Sequence, residues 1–108
     1  MPIIQEVRGK RVGPVVYCDV CDQSIQDAGD GNVQWIANDS HGRTQRTAPL
    51  FFTHKRCCTT FDRQHAAEGG VGAEDLDTWL VYLSNSLKFG ERQRAEASER
   101  ARFLAGPS

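Results

Sequence analysis

Two short pairs of potential metal ligands are the most informative feature of the sequence. Cys18 and Cys21 form a Cys-x2-Cys pair, and His54 and Cys57 form a His-x2-Cys pair. Thiolate and imidazole groups are ligands that Zn²⁺ prefers, and four of them complete a closed tetrahedral site. The sequence therefore predicts that the first ligand pair (Cys18, Cys21) and the second ligand pair (His54, Cys57) bind one structural zinc ion.

Other thiols and imidazoles leave alternatives to this ligand set. Cys58 would replace His54 in an all-cysteine site, but two adjacent cysteines bind one ion awkwardly, so we expect Cys58 to pack as a small apolar residue. His41 and His65 are expected to be exposed. A redox role for Cys-x2-Cys requires the strand–helix context of a βαβ fold, and here a glycine-rich loop follows instead.

The elements that must position these ligands can be predicted from hydrophobic periodicity. Val33, Trp35 and Ala37 alternate with more polar residues, which is typical of a half-buried strand. Apolar side chains recur at helical spacing from Leu76 to Leu87, which indicates an amphipathic helix. The predicted strands are residues 3–7, 12–17, 33–37 and 48–53. The predicted helices are residues 55–68, 73–89 and 91–104, with the glycine-rich segment 69–72 ending the first.

The order of ligands and elements resembles a treble-clef zinc finger, in which a knuckle, a hairpin and a helix hold the metal. The ligand types also resemble the first zinc site of LIM domains, Cys-x2-Cys followed by His-x2-Cys. The resemblance covers residues 15–67 and implies ligand roles for the two pairs and a treble-clef topology. The stretch 22–53 is longer than a LIM site allows and no second ligand set follows, so nothing about LIM partners is implied.

Length and composition fit a small domain that benefits from a metal. The chain has 108 residues, of which 39% are apolar, so burial alone leaves a small margin of stability. We predict an α+β fold with a treble-clef-like zinc core and two C-terminal helices. Residues 1–90 would form the zinc-stabilised domain, and residues 91–108 a charged C-terminal helix and tail.

The charge distribution gives a second hypothesis about function. A net charge of −1 excludes a protein that is basic throughout, but the stretch from residue 41 to residue 63 is locally basic. Its cations would contact phosphates while Trp35 or Phe51 stacks on bases, although solvated cations over buried rings are the simpler interpretation. The candidate nucleic-acid-binding residues are Arg43, Arg46, Lys55, Arg56 and Arg63.

No arrangement typical of an enzyme is evident. Four protein ligands leave a zinc ion no open position for water. An HNH-like nuclease would have to use Asp39, His41 and His65, whose spacing fits that motif poorly. We therefore expect a non-catalytic protein-interaction or regulatory module, with a role in transcription or phage–host control as one interpretation. Without a signal-peptide pattern or a membrane span, we expect it to be cytoplasmic, with the C-terminal helix free to form a homo-oligomer.

Overall fold

The computed structural model describes residues 3–105 of the chain, and within them the predicted α+β class is confirmed. Two strands form an antiparallel hairpin, and three more form a second antiparallel sheet in the order β4-β3-β5. The strands are β1 (Ile3–Arg8), β2 (Arg11–Val16), β3 (Gly31–Ile36), β4 (Phe51–His54) and β5 (Val71–Asp75). The first four begin and end within three residues of the predicted bounds.

Three helices complete the described part of the chain. Each of them is too short or too polar to cross a lipid bilayer. The predicted C-terminal helix is confirmed and contacts β2, while the predicted boundary at residue 90 stays a prediction and residues 106–108 lie outside the described range. The helices are α1 (Cys58–Gln64), α2 (Leu76–Ser86) and α3 (Glu91–Ala105), and the segments Ala28–Asp30 and Lys55–Cys57 form single 3-10 turns.

The second sheet is covered on both faces. Successive residues of a strand point to opposite faces, and on one face Val33 belongs to the apolar core. On the other face α1 packs against the sheet, with the ring of Phe61 5.0 Å from that of Phe51. The core residues of the first face are Cys18, Ile25, Val33, Phe52, Cys57 and Leu76.

Gln34 is fully buried, contrary to the half-buried strand expected from the alternation. Its Nε2 donates to Asp62 Oδ1 at 3.0 Å, and its Oε1 accepts from Thr53 Oγ1 at 2.6 Å. A buried amide is tolerated only when its polar atoms are paired in this way. The covering helix α1 supplies one of these partners, so β3 is a central strand with a polar network on one face and the apolar core on the other.

The predicted helices 55–68 and 73–89 are both too long. The first is a 3-10 turn followed by α1, which ends at Gln64. The second loses Ala73, Glu74 and Asp75 to β5, because pairing with β3 outweighs the local helix propensity of these residues. Of the predicted apolar stripe, Leu76 is buried, while Leu80, Leu83 and Leu87 are exposed.

Gly69 brings the chain after α1 tightly against the end of β3. Its φ is +142°, and a Cβ there would lie 1.8 Å from the carbonyl oxygen of Asn38. The next residue, Gly70, accepts a hydrogen bond from the Ala37 N–H at 2.7 Å. This close approach aligns the following strand β5 with β3, so no side chain fits at position 69.

Substitution of Gly69 by alanine should destabilise the fold strongly. We expect Gly69→Ala to lower the free energy of unfolding by about 3 kcal/mol, because the backbone must move and an unfavourable φ is retained. Urea unfolding followed by circular dichroism measures the change. Gly13→Ala is the control, since a Cβ there meets nothing within 4 Å; equal midpoints for the two variants would contradict the prediction.

Candidate metal centre

The two predicted ligand pairs meet at one place in the structure. One donor atom from each of the four residues lies within 4.8 Å of all the others, so together they are able to hold one metal ion. Among residues 3–105, no other group of three or more histidine, cysteine or acidic residues is arranged to do so. The Cys3His cluster is defined by Cys18, Cys21, His54 and Cys57.

A tight turn after β2 presents the first ligand pair. The Cys18 N–H donates to the Gln23 carbonyl at 2.9 Å, and the Asp22 N–H donates to the Cys18 carbonyl at 3.0 Å. Asp22 has a positive φ of 63°, which aspartate tolerates better than most residues. The turn directs the Cys18 and Cys21 side chains to the same side, as a metal-binding knuckle must.

Contacts at both ring nitrogens orient His54, the last residue of β4. Nε2 lies 3.2 Å from the Ser24 carbonyl oxygen, and Nδ1 lies 3.3 Å from Cys21 Sγ. A carbonyl oxygen only accepts hydrogen bonds, so this network assigns the proton of the neutral ring to Nε2. The Nδ1 lone pair then faces the cluster, which is the second-sphere arrangement that metal-binding histidines use.

Cys18 and Cys57 of the cluster have opposite pKa shifts. Burial would raise the pKa of Cys18, but hydrogen bonds from three backbone N–H groups lower it to about 6. The donors are the N–H groups of Cys21, His54 and Val20. For Cys57, burial and the neighbouring sulfurs of Cys18 and Cys21 raise the pKa to about 11. Several thiolates cannot share this space without a cation, and a bound metal supplies the compensating charge.

The cluster is continuous with the apolar core. Cys18 is 1% exposed and Cys57 7%, and both contact the core residues on the same face of the second sheet. His54 is also buried, and Cys21 is partly exposed. A metal held here would join the knuckle, β4 and the start of α1 through the core itself, and four protein donors fill a tetrahedral coordination shell.

Asp19 is a supporting residue that sequence reasoning missed. Its N–H donates to the Phe52 carbonyl at 2.7 Å, and its Oδ2 accepts from the Phe52 N–H at 2.8 Å. This reciprocal pair, the Asp19 clasp, attaches the knuckle to β4 two residues before His54. An aspartate inside Cys-x2-Cys gives no hint of a partner 33 residues away, so no sequence signal identifies it.

Cys57 and Cys58 are adjacent but face different layers. Cys57 belongs to the Cys3His cluster, whereas Cys58 Sγ accepts from Gln34 Nε2 at 3.5 Å in the polar network on the α1 face. The structure therefore brings together the ligand set that includes His54 and leaves Cys58 outside it. Cys58 is in contact with a polar amide, which differs from the purely apolar packing expected for it.

The basic residues proposed for nucleic-acid binding lie on three different segments. Two are in the connection between β3 and β4, two follow β4 and one is on α1. Lys55 Nζ is 3.6 Å from Asp75 Oδ1, and Arg56 Nη2 is 3.9 Å from Cys21 Sγ. The five residues are Arg43, Arg46, Lys55, Arg56 and Arg63.

The residues considered for an HNH-like nuclease have other contacts. Asp39 Oδ1 accepts from the backbone N–H groups of His41 and Arg43 at 2.8 and 2.9 Å, which closes a turn in the β3–β4 connection. His65, beyond the end of α1, stacks on the Phe61 ring with centroids 4.2 Å apart. The two sites are on separate segments of the chain.

Comparisons with known proteins give no relative for this arrangement. The chain matches no family model, no curated protein and no solved structure. The Cys3His cluster and its surroundings must therefore be interpreted from their own geometry.

The two adjacent cysteines allow a matched test of the ligand set. We expect Cys57→Ser to lose stoichiometric zinc and cooperative melting, because one of four donors is removed from a buried site. Cys58→Ser should keep one zinc per chain, since its side chain points into the other layer. Elemental analysis and thermal melting of both variants measure these effects, and equal zinc loss in both would refute the assignment.

The Asp19 clasp should strengthen metal binding without providing a ligand. We expect Asp19→Ala to weaken zinc affinity about 10–100-fold, as is usual when an outer-sphere partner is removed. Competition with a chromogenic chelator measures the affinity. Asp22→Asn removes the same charge from the knuckle while tolerating its positive φ, and it should bind zinc as the unmodified chain does; an equal loss there would mean that charge alone is responsible.

Proposed function

We propose that this chain is a small, non-catalytic zinc protein that acts as a protein-interaction or regulatory module. The observation that carries the proposal is the convergence of two distant ligand pairs on one point inside the apolar core. Such a site is suited to holding a fold together, and the fold then presents its remaining surface to a partner.

Zinc is the ion that fits this donor set best. Three thiolates and one imidazole form a soft, tetrahedral environment, and Cys3His is a common ligand set of structural zinc sites. The order of knuckle, β3–β4 hairpin and α1 supports the resemblance to a treble-clef finger. We therefore assign the four residues of the Cys3His cluster as ligands of a single structural zinc ion.

A binding role agrees better than catalysis with the surroundings of the cluster. Four donors leave no free coordination position, and the Nε2 atom of His54 is already held by the Ser24 carbonyl. Large apolar side chains remain exposed on α2 and directly after it, with Val81 58%, Tyr82 70% and Leu87 61% exposed. Val81 and Tyr82 line one surface cleft together, and neighbouring exposed apolar side chains are typical of interaction sites.

Nucleic-acid binding is the second candidate, supported by the local excess of basic residues. It is less favoured because the net charge is −1 and the cations do not share one element, whereas phosphate recognition needs a continuous basic surface. Fluorescence anisotropy with labelled DNA and RNA at several salt concentrations separates the two functions. Strongly salt-dependent binding would favour the second candidate over a protein partner.

Removal of the metal tests the structural role directly. We expect chelation to abolish cooperative melting. Structural zinc contributes about 10–16 kcal/mol of binding free energy, which is comparable with the whole free energy of unfolding of a small domain. Native mass spectrometry should first show one zinc per chain. One equivalent of Zn²⁺ should restore the tryptophan near-ultraviolet circular dichroism, and a metal-free chain that melts unchanged would contradict a structural ion.

A further inference from the structure

A cleft with two tryptophan walls lies on the surface beside the second sheet. Its volume is about 280 Å³, slightly below the roughly 300–1,000 Å³ of small-molecule sites, which suits one or two side chains better than a cofactor. The tryptophan cleft is lined by Trp35, Gln45, Arg46, Ala48, Leu50 and Trp79.

The aromatic walls are fixed by their own packing. The Trp35 indole lies over Gly72 of β5, where a Cβ would come within 2.5 Å of indole Cε2. The Trp79 ring meets the Phe52 ring edge-on, with centroids 5.8 Å apart. Because both indoles are held against the sheet and are only partly buried, their remaining surface is preorganised for a ligand.

The rim of the cleft is held in place by backbone hydrogen bonds. The Gln45 N–H donates to the Ala37 carbonyl at 2.8 Å, which attaches the β3–β4 connection next to Arg46. The apolar Leu50, which is 39% exposed, also lines the cleft. The ligand therefore meets an apolar interior and, at the rim, a polar backbone-anchored segment.

The charge of the lining is entirely positive. Arg46 is its one charged residue, no carboxylate lines the cleft, and Arg43 belongs to the same connection. Aromatic rings and arginine together are the residues most enriched at the energetic centres of protein interfaces. A complementary ligand combines an apolar group for the indoles with a negative charge for the guanidinium.

We propose that the tryptophan cleft binds an acidic peptide segment of a partner protein that inserts one large apolar side chain. This inference rests on the proposed interaction function and gives it a site and a ligand class. A nucleobase and its phosphate would also match the indoles and the Arg46 guanidinium, but only within the cleft itself. Lys55 is paired with Asp75, and Arg56 lies beside Cys21, so two of the cations that a nucleic-acid backbone would need already have other contacts.

Selection from a random peptide library on the zinc-loaded, full-length protein tests the proposal. We expect enriched peptides to contain aspartate or glutamate next to phenylalanine, tryptophan or leucine. Both tryptophans of the chain line the cleft, so a synthetic copy of an enriched peptide should change the intrinsic tryptophan emission. Replacing its apolar residue with serine should remove that change.

A pair of charge-reversing variants locates the site. Arg46→Glu should weaken binding of the enriched peptide at least about tenfold, since an interfacial attraction becomes a repulsion. Arg102→Glu makes the same change on the exposed surface of α3, away from the residues that line the cleft, and should bind as the unmodified chain does. Both variants should melt normally with one zinc per chain, which excludes misfolding as the cause.

The possible failures of the two proposals are distinguishable. The cleft proposal is overturned if no peptide is enriched, if enriched peptides are basic, or if Arg46→Glu binds them unchanged. It is also overturned if an oligothymidylate changes the tryptophan emission and no acidic peptide does. Peptides that bind Arg46→Glu unchanged but do not bind Val81→Asp would overturn the cleft proposal. The proposed interaction function would then stand, with its binding site on α2. Absence of zinc from a folded, peptide-binding protein would instead overturn the metal part alone.

Discussion

The fold depends on the meeting of four donor atoms within 4.8 Å of one another inside the core. Thiols this close repel one another once they ionise, and the pKa of about 11 for Cys57 reflects its burial together with the neighbouring sulfurs of Cys18 and Cys21. A bound metal would turn the same crowding into a crosslink between the knuckle and the β4–α1 junction. The core residues around the cluster are few, so a bound metal would supply much of the cohesion of this face.

The surrounding structure prepares the cluster for a cation. The Ser24 carbonyl orients His54, backbone N–H groups favour the Cys18 thiolate, and the Asp19 clasp holds the two chain segments in register. None of these groups is itself a donor in the cluster. Preorganisation of this kind reduces the entropy that metal binding must otherwise offset, which explains how a chain with a modest core can position four ligands accurately.

Local sequence patterns predicted the ligands and most secondary-structure elements, but they did not predict contacts between distant segments. The spacings Cys-x2-Cys and His-x2-Cys were sufficient to select the residues that the structure brings together. Short apolar runs and alternation located β1 to β4, and helix propensity located α3. These patterns missed β5 because Ala73, Glu74 and Asp75 favour helix locally and become a strand only through pairing with β3. Burial of Gln34 and the Asp19 clasp likewise depend on partners that sequence spacing does not reveal.

The buried amide of Gln34 also selects one pairing of the strands over its neighbours. A slip of β3 by one residue would exchange Gln34 with Val33, placing an amide among apolar groups and a valine among hydrogen-bonding partners. An unpaired amide in such a setting costs on the order of 1–3 kcal/mol. The polar network therefore discriminates against misaligned sheets without any help from the metal, and His54 arrives beside the knuckle only in the alignment that the amide allows.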